Sequence, residues 1–427
     1  MLKIIEVGAQ GAFRAETPAL QRNNDVEAAV DSILADIQQR GDAALLEYTA
    51  RFDGAVLESP AVTKEEMEEA WNAVEPEFRA ILEQAAAQIR RFHQNQVKEG
   101  FRFEPEDGIV LGQKVIPLAS AGLYIPGGTA CYPSSVLMNA IPPKLAGVQN
   151  LVLATPPGKD GKVPAVILCA AKIAGVDTIF KMGGAQAIGA LAFGTETVPK
   201  VDKIVGPGNM YVATAKRRVF GVVDIDMIAG PSEILVLADG TCNPKYVAAD
   251  LLSQAEHDAM SSAVLITDSR ALAEAVQAEL EVQLAALPRE AIARKAIENN
   301  SFALLVNDLK EGVQYANQVA PEHLEICTDD PWPLLELVKN AGSVFLGKNA
   351  PEALGDYWAG PNHVLPTSGT ARFSSPLSVD DFVKRTSFTY YSREALGKAA
   401  DSIAEFAERE GLSAHARSVT VRFAEEE

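Results

Sequence analysis

The chain of 427 residues contains only four cysteines, five histidines and three tryptophans. Cys131, Cys169, Cys242 and Cys327 are scattered, with no pair two residues apart, so neither a cysteine zinc knuckle nor a dithiol redox pair is suggested. Cysteine this sparse fits a reducing compartment, and a cytoplasmic location is expected. Basic charge is short as well: 38 Lys and Arg stand against 57 Asp and Glu, a formal net charge of −19. Such a surface repels phosphate backbones and anionic lipid, which argues against nucleic acid and membrane surface as general partners. An anionic ligand has to be held locally, as at a helix N-terminus. Long apolar runs are missing too. The opening MLKIIEVGAQGAFRAE has a lysine but lacks the continuous apolar stretch of a signal peptide, and the run 163–176 is broken by Lys172 and too short to span a bilayer. The G-x-G-x-x-G dinucleotide fingerprint occurs nowhere.

What is present suits a large folded enzyme or binding protein. Apolar residues make up 48% and charged residues 22%, near the globular norm. Length alone suggests roughly three domains at about 150 residues each. Val26, Val30, Ile33, Leu34 and Ile37 recur at the helical period up to Gly41, and Phe78, Ile81, Leu82, Ala85, Ile89 and Phe92 do the same. The acidic run KEEMEEAW between them reads as the solvated face of another helix. From Gly122 the texture changes. VQNLVLAT, DTIFKMG and VDKIVG alternate with PAVILCAAKIAG, AQAIGALAFG and YVATAKRRVFG, and Leu151, Ile179 and Ile204 recur about every 26 residues. Strand–helix alternation of this kind predicts a parallel sheet with right-handed crossovers. It resumes with EILVLAD, SAVLITD, FALLVND and SVFLG. The expected fold is α/β: two Rossmann-like parallel-sheet units, 124–233 and 234–376, the second joined by the helices of 25–123. Residues 1–24 form an N-terminal extension, and 377–427 a polar, mostly helical tail that must pack on something else, such as another subunit.

Four of the five histidines lie in the second half, and three of these have an acid or an amide within three residues. In DLLSQAEHD, Gln254 and His257 share a helix face at i and i+3, with Asp250 one turn back; a metal site and a solvated helix end fit this spacing equally well. In APEHLEI, Glu322 and His323 follow Pro321. As neighbours they diverge on any regular element, so they could serve two different protons in one pocket but not act as one dyad; by spacing alone an exposed pair is the simpler reading. PEALGDYWAGPNHVLPTSG has no period and reads as a long ordered loop carrying Asp356 and His363, of the kind that is usually functional. Glu410 and His415, near the end, read alone as solvated tail residues. His93 reads as a packing histidine, and Cys131 as a packed thiol. GLYIPGG and GPGNMY have the strand–loop–helix form that offers free N–H groups to an anion.

Taken together and in order, GLYIPGG, MGGAQAIGALAFGTETVPKVDKIVGPGN, IDMIAGPSEILVLAD, DLLSQAEHD, APEHLEI, AGSVFLG and GPNHVLPTSG resemble the histidinol dehydrogenases. The resemblance covers nearly the whole chain and is densest over 122–369. It implies a zinc- and NAD-dependent oxidation of L-histidinol to L-histidine through histidinal, the last steps of histidine biosynthesis, in a homodimer with exchanged C-terminal segments. It implies one Zn²⁺ per subunit on Gln254, His257, Asp356 and His415, with His415 from the other subunit. Glu322 and His323 are then the acid–base residues. Ser232, His363 and Glu410 contact substrate along with Gln254, His257, His323, Asp356 and His415. Tyr124, Gln186 and Asn209 contact NAD. The metal and catalytic residues would belong to the unit of 25–123 plus 234–376, and the NAD contacts to 124–233. A set without thiolate is unlike a closed structural zinc site and leaves room for a substrate's own nitrogens. A zinc hydrolase with Glu322 as base, or a non-catalytic binding protein of two lobes, is the competing reading.

Overall fold

The computed structural model describes residues 2–7, 24–127, 131–228 and 230–424. Most of the expected N-terminal extension, 8–23, and Gly128 of the first glycine loop therefore lie outside the described residues. The chain divides into two compact units, one of Met1–Gln96 with Leu118–Phe382 and one of Val97–Pro117 with Val383–Glu427.

The first unit holds two parallel sheets. The five-stranded sheet runs, in spatial order, Thr178–Lys181, Asn150–Thr155, Ser120–Tyr124, Lys203–Val205 and Asp224–Ile225. Every neighbouring pair is parallel. The first strand in sequence thus sits in the middle, with the next two on one side and the last two on the other. The six-stranded sheet repeats this order with Phe302–Leu305, Ser262–Thr267, Glu233–Ala238, His323–Cys327 and Ser343–Leu346, and adds the N-terminal strand Lys3–Glu6 beside Phe302–Leu305. Parallel neighbours require long crossovers, which the alternating helices supply. The apolar runs read as strands because both of their faces are covered: every residue of Asn150–Thr155 after the first is buried, as is every residue of Glu233–Ala238 after the first.

The early helices pack on the five-stranded sheet and its helices, not on the six-stranded sheet they were expected to join. Val26, Val30, Ile33, Leu34 and Ile37 of Asn24–Arg40 share a core with Ile188, Leu191 and Val212. Leu82, Ala85, Ala86 and Ile89 of Pro76–His93 share another with Val136, Met138 and Ile141. Periodicity shows that such a helix has an apolar face but not which sheet covers it. The acidic run forms the helix Lys64–Ala73, capped by Thr63 and Glu66, with Ala70 its only buried side chain. His93 is buried with Nδ1 2.9 Å from the carbonyl of Ile89, a packing histidine as expected.

In the second unit Ile109–Pro117 pairs antiparallel with Phe101–Phe103 on one side and Val383–Tyr391 on the other. The helices Arg393–Arg409 and Ser413–Thr420 follow. The expected helical tail therefore opens with a nine-residue strand. None of its side chains is buried, so it shows no alternation in sequence, and its main-chain ladder holds it. Among the described residues no helix is long and apolar enough to cross a membrane.

Candidate active site

In an open parallel sheet with this strand order, ligands bind at the carboxyl ends of the strands flanking the order reversal, here Ser120–Tyr124 and Lys203–Val205. The loops leaving those strands carry the two glycine motifs. Gly206 has a φ of +115°, and a Cβ there would meet the carbonyl oxygen of Tyr124 at 2.0 Å, so only glycine lets the two loops approach. Lys216 and Asp226 form a buried ion pair beneath this loop: Lys216 Nζ donates to the Gly206 carbonyl at 2.9 Å, and the Gly206 N–H donates to Asp226 at 2.8 Å. Asn209 caps the helix Met210–Val219 by accepting from the N–H groups of Tyr211 and Val212.

Two cavities open at this edge. The first, about 330 Å³, is lined by Pro126, Gly127 and Asn209 from the five-stranded sheet and by Ser232, Gln254, His257, Glu322, His323, Glu352, Asp356 and His363 from the rest of the unit. The second, about 560 Å³, shares Pro126, Gly127 and Asn209 and adds Tyr124 and Gln186. The expected residues of the first unit thus fall into two adjoining groups, one at each cavity. Glu410 and His415 lie in the second unit, where both are exposed.

The six-stranded sheet meets the first cavity with the opposite end of its strands. Glu322 and His323 stand at the start of His323–Cys327, and Ser232 and Glu233 at the start of Glu233–Ala238. Gln254 is in the last turn of Pro244–Ala255 and His257 just beyond it, so the returning helix delivers both to that same end. The N–H of Glu233 donates to Glu322 Oε2 at 2.9 Å, and the Glu233 carbonyl lies 2.9 Å from His323 Nδ1. A carbonyl only accepts, so Nδ1 carries the proton and Nε2 presents a lone pair. Burial depresses the His323 pKa to about 4, which keeps the ring neutral. Burial also raises Glu322 well above the usual carboxylate range, with the charges of Glu233, Asp356 and Glu352 adding to it. Glu322 and His323 are 3.6 Å apart and not hydrogen-bonded, as their adjacency on a strand requires.

Residues 360–367, which carry His363, are the expected ordered loop, whereas the first half of the segment is helical. Glu352–Leu354 is a short helix that widens into a π turn over Gly355–Ala359. It presents Asp356 Oδ1 to His363 Nδ1 at 3.1 Å, while His363 Nε2 lies 3.3 Å from Ser135 Oγ. Burial pushes Asp356 up, but the hydrogen bond and charge of His363 and the proximity of His323 outweigh it and hold the group below its ordinary value.

Sequence reasoning missed Glu352. Its Oε1 is buried without a hydrogen-bond partner and 3.7 Å from His323 Nε2. Burial, reinforced by the neighbouring Asp356 charge, raises its pKa to about 8, and Ser253 Oγ donates to its other oxygen, Oε2, at 3.4 Å. Ligand atoms of His323, Glu352 and Asp356 all lie within 4.8 Å of one another. Two carboxylates this close, with an orphaned oxygen, an amide and imidazoles around them, suit a divalent cation of the oxygen- and nitrogen-binding kind. The only cue in sequence was an acid four residues before Asp356. Cys131, expected as a packed thiol, is exposed. It precedes the helix Pro133–Ala146, outside that helix's buried face.

The histidinol dehydrogenase family profile matches residues 17–423. The chain is 54% identical to the histidinol dehydrogenase of Bacillus subtilis, covering 96% of this chain and 97% of that one. It is 57% identical to that of Geobacillus kaustophilus, covering 92% and 93%. A crystal structure of histidinol dehydrogenase from Elizabethkingia anophelis superposes with a TM-score of 0.93 at 38% identity, over 99% of this chain and 98% of that one. With this agreement in sequence and architecture, the chain belongs to the histidinol dehydrogenase family of oxidoreductases.

Proposed function

We propose that the chain oxidises L-histidinol to L-histidine through histidinal, with NAD⁺ as the oxidant and zinc as the bound metal, as the closing steps of histidine biosynthesis. The observation that carries this reading is the neutral, Nδ1-protonated His323, whose free Nε2 faces a buried N/O donor set in the same cavity as Glu322. Gln254, His257 and Asp356 would hold zinc, with His415 supplied by a second copy of the chain in a homodimer. Zinc, which has no redox change of its own, supplies orientation and polarisation of the substrate through its imidazole and amine nitrogens. Nicotinamide supplies the hydride acceptor that protein side chains lack, and Tyr124, Gln186 and Asn209 would contact it or its nucleotide.

The chain's own groups handle the protons. His323 Nε2 takes the hydroxyl proton in the alcohol step, for which a neutral imidazole is suited. Glu322, kept a strong proton acceptor by its burial, activates the water added to the aldehyde before the second oxidation. Ser232, His363 and Glu410 would position the substrate, Glu410 from the second copy. The test is absorbance of reduced nicotinamide on adding histidinol and NAD⁺. A chelator-sensitive rise of two reduced nicotinamides per histidine formed is expected. No rise with histidinol, whatever the metal, rejects the reading.

A further inference from the structure

Asp53 follows the helix Asp42–Phe52 and lines the 560 Å³ cavity with Ala29, Ile33, Phe52, Tyr124 and Gln186. Its Oδ2 is buried without a hydrogen-bond partner. Both amide atoms of Gln186 are in the same condition, on a side chain only 1% exposed. Three unpaired buried polar atoms around one cavity are costly in a protein left to itself, and a ligand that pairs with them removes the cost. The chemistry of that ligand follows from theirs. An ionised carboxylate only accepts, so the ligand must bring donors to Asp53, and the amide asks for an acceptor and a donor together. Ala29, Ile33 and Phe52 give the cavity an apolar wall for a flat base. None of these residues lines the first cavity, whereas Pro126, Gly127 and Asn209 line both. A dinucleotide running from one cavity to the other therefore puts its reactive ring near His323 and its adenosine half beside Asp53.

Resting on the reading that NAD is the oxidant, we propose that Asp53 selects the coenzyme: its buried oxygen accepts hydrogen bonds from the adenosine ribose hydroxyls, and its charge rejects a 2′-phosphate at that position. Arg51 lines the same cavity and is the group that could welcome such a phosphate, but its guanidinium lies over the Phe52 ring, 5.2 Å from the centroid.

Two measurements test this. Calorimetry on the wild-type chain, without substrate, uses adenosine 5′-monophosphate and adenosine 2′,5′-bisphosphate as probes. The monophosphate is expected to bind at least tenfold more tightly, and the preference to fall to within threefold in Asp53→Asn. Steady-state kinetics with histidinol then compare NAD⁺ with NADP⁺. Asp53→Asn is expected to raise KM for NAD⁺ about tenfold, to change kcat by less than about threefold, and to lower the NAD⁺ over NADP⁺ preference at least tenfold. Asp53→Ser, smaller and also uncharged, should behave alike. If the wild-type chain uses NAD⁺ but both variants keep its KM and its coenzyme preference within twofold, the role of Asp53 is overturned while the oxidation stands. If it uses neither coenzyme, the functional reading falls and this inference with it.

Discussion

The main chain of Glu233 grips both of its neighbours across the sheet: its carbonyl lies 2.9 Å from His323 Nδ1 and its N–H donates to Glu322 Oε2 at 2.9 Å. One residue at the start of one strand thus fixes the tautomer of the imidazole and the direction of the carboxylate at the start of the next. That arrangement sends two proton-handling groups into one cavity without joining them. His323→Asn is expected to slow the oxidation of histidinol by about 10²–10⁴-fold while retaining most of the rate with supplied histidinal. Glu322→Gln should do the reverse. Rates measured separately with the alcohol and the aldehyde check this, and equal losses in both half-reactions for both variants would refute the division of labour.

Glu352 offers a second handle. Its orphaned oxygen lies beside Asp356 and His323, and burial holds its pKa up at about 8, so a divalent cation bound there, as proposed, would take the place of a proton. Glu352→Gln keeps the side chain's size and leaves the main-chain bond from its N–H to Glu325 in place. It is expected to lower divalent-metal affinity by about 10–100-fold. Metal content after dialysis against graded chelator is the measurement; unchanged retention of metal would remove Glu352 from the site.

The pattern of what was readable in the sequence follows from burial. The strands Asn150–Thr155 and Glu233–Ala238 are covered on both faces, so they stand out as short apolar runs. Val383–Tyr391 buries neither face and pairs with a strand some 270 residues earlier, so nothing local marks it. Gln254 and His257 both line one cavity, as their shared spacing suggested, but not from one helix face: the helix ends at Ala255, and His257 stands in the turn beyond it. Glu352 was not legible, because its neighbours Ser253 and His323 reach it only through the fold. Nor could alternation show that the two sheets meet at opposite strand ends, which is what sets Asn209 and His323 around the same space.

Asp53 makes stability depend on pH. Burial raises its pKa from 3.8 to about 6. A carboxyl with a raised folded-state pKa contributes its full stability below the unfolded value and loses it as pH rises through the folded one, so the loss falls between about pH 4 and pH 6. Asparagine at this position does not titrate. Asp53→Asn without coenzyme should therefore match the wild-type chain near pH 4 and exceed it above pH 6.5, by on the order of 1 kcal/mol after allowing for the partial exposure of the group. Denaturant unfolding at several pH values measures it. A gap that does not open with rising pH would mean that the carboxyl is not strained in the empty cavity.

Lys216 and Asp226 tie the second glycine loop to the helix behind it. Both side chains are almost wholly buried, and each also bonds to Gly206, the residue that must pass close to Tyr124. Replacing one member of such a pair leaves the other charge buried and uncompensated, at about 3–5 kcal/mol, whereas replacing both with apolar residues is far milder. Lys216→Met should therefore be strongly destabilised, and Lys216→Met/Asp226→Leu should recover most of the loss. The loop, however, is anchored by these same side chains. The double variant, though stable, is expected to show a KM for NAD⁺ raised about tenfold or more, because Asn209 and Gly206 no longer stand on a fixed base. Unfolding by denaturant and coenzyme kinetics separate the two effects. A double variant that is both stable and normal in KM would show that the pair supports the fold alone and does not position the loop.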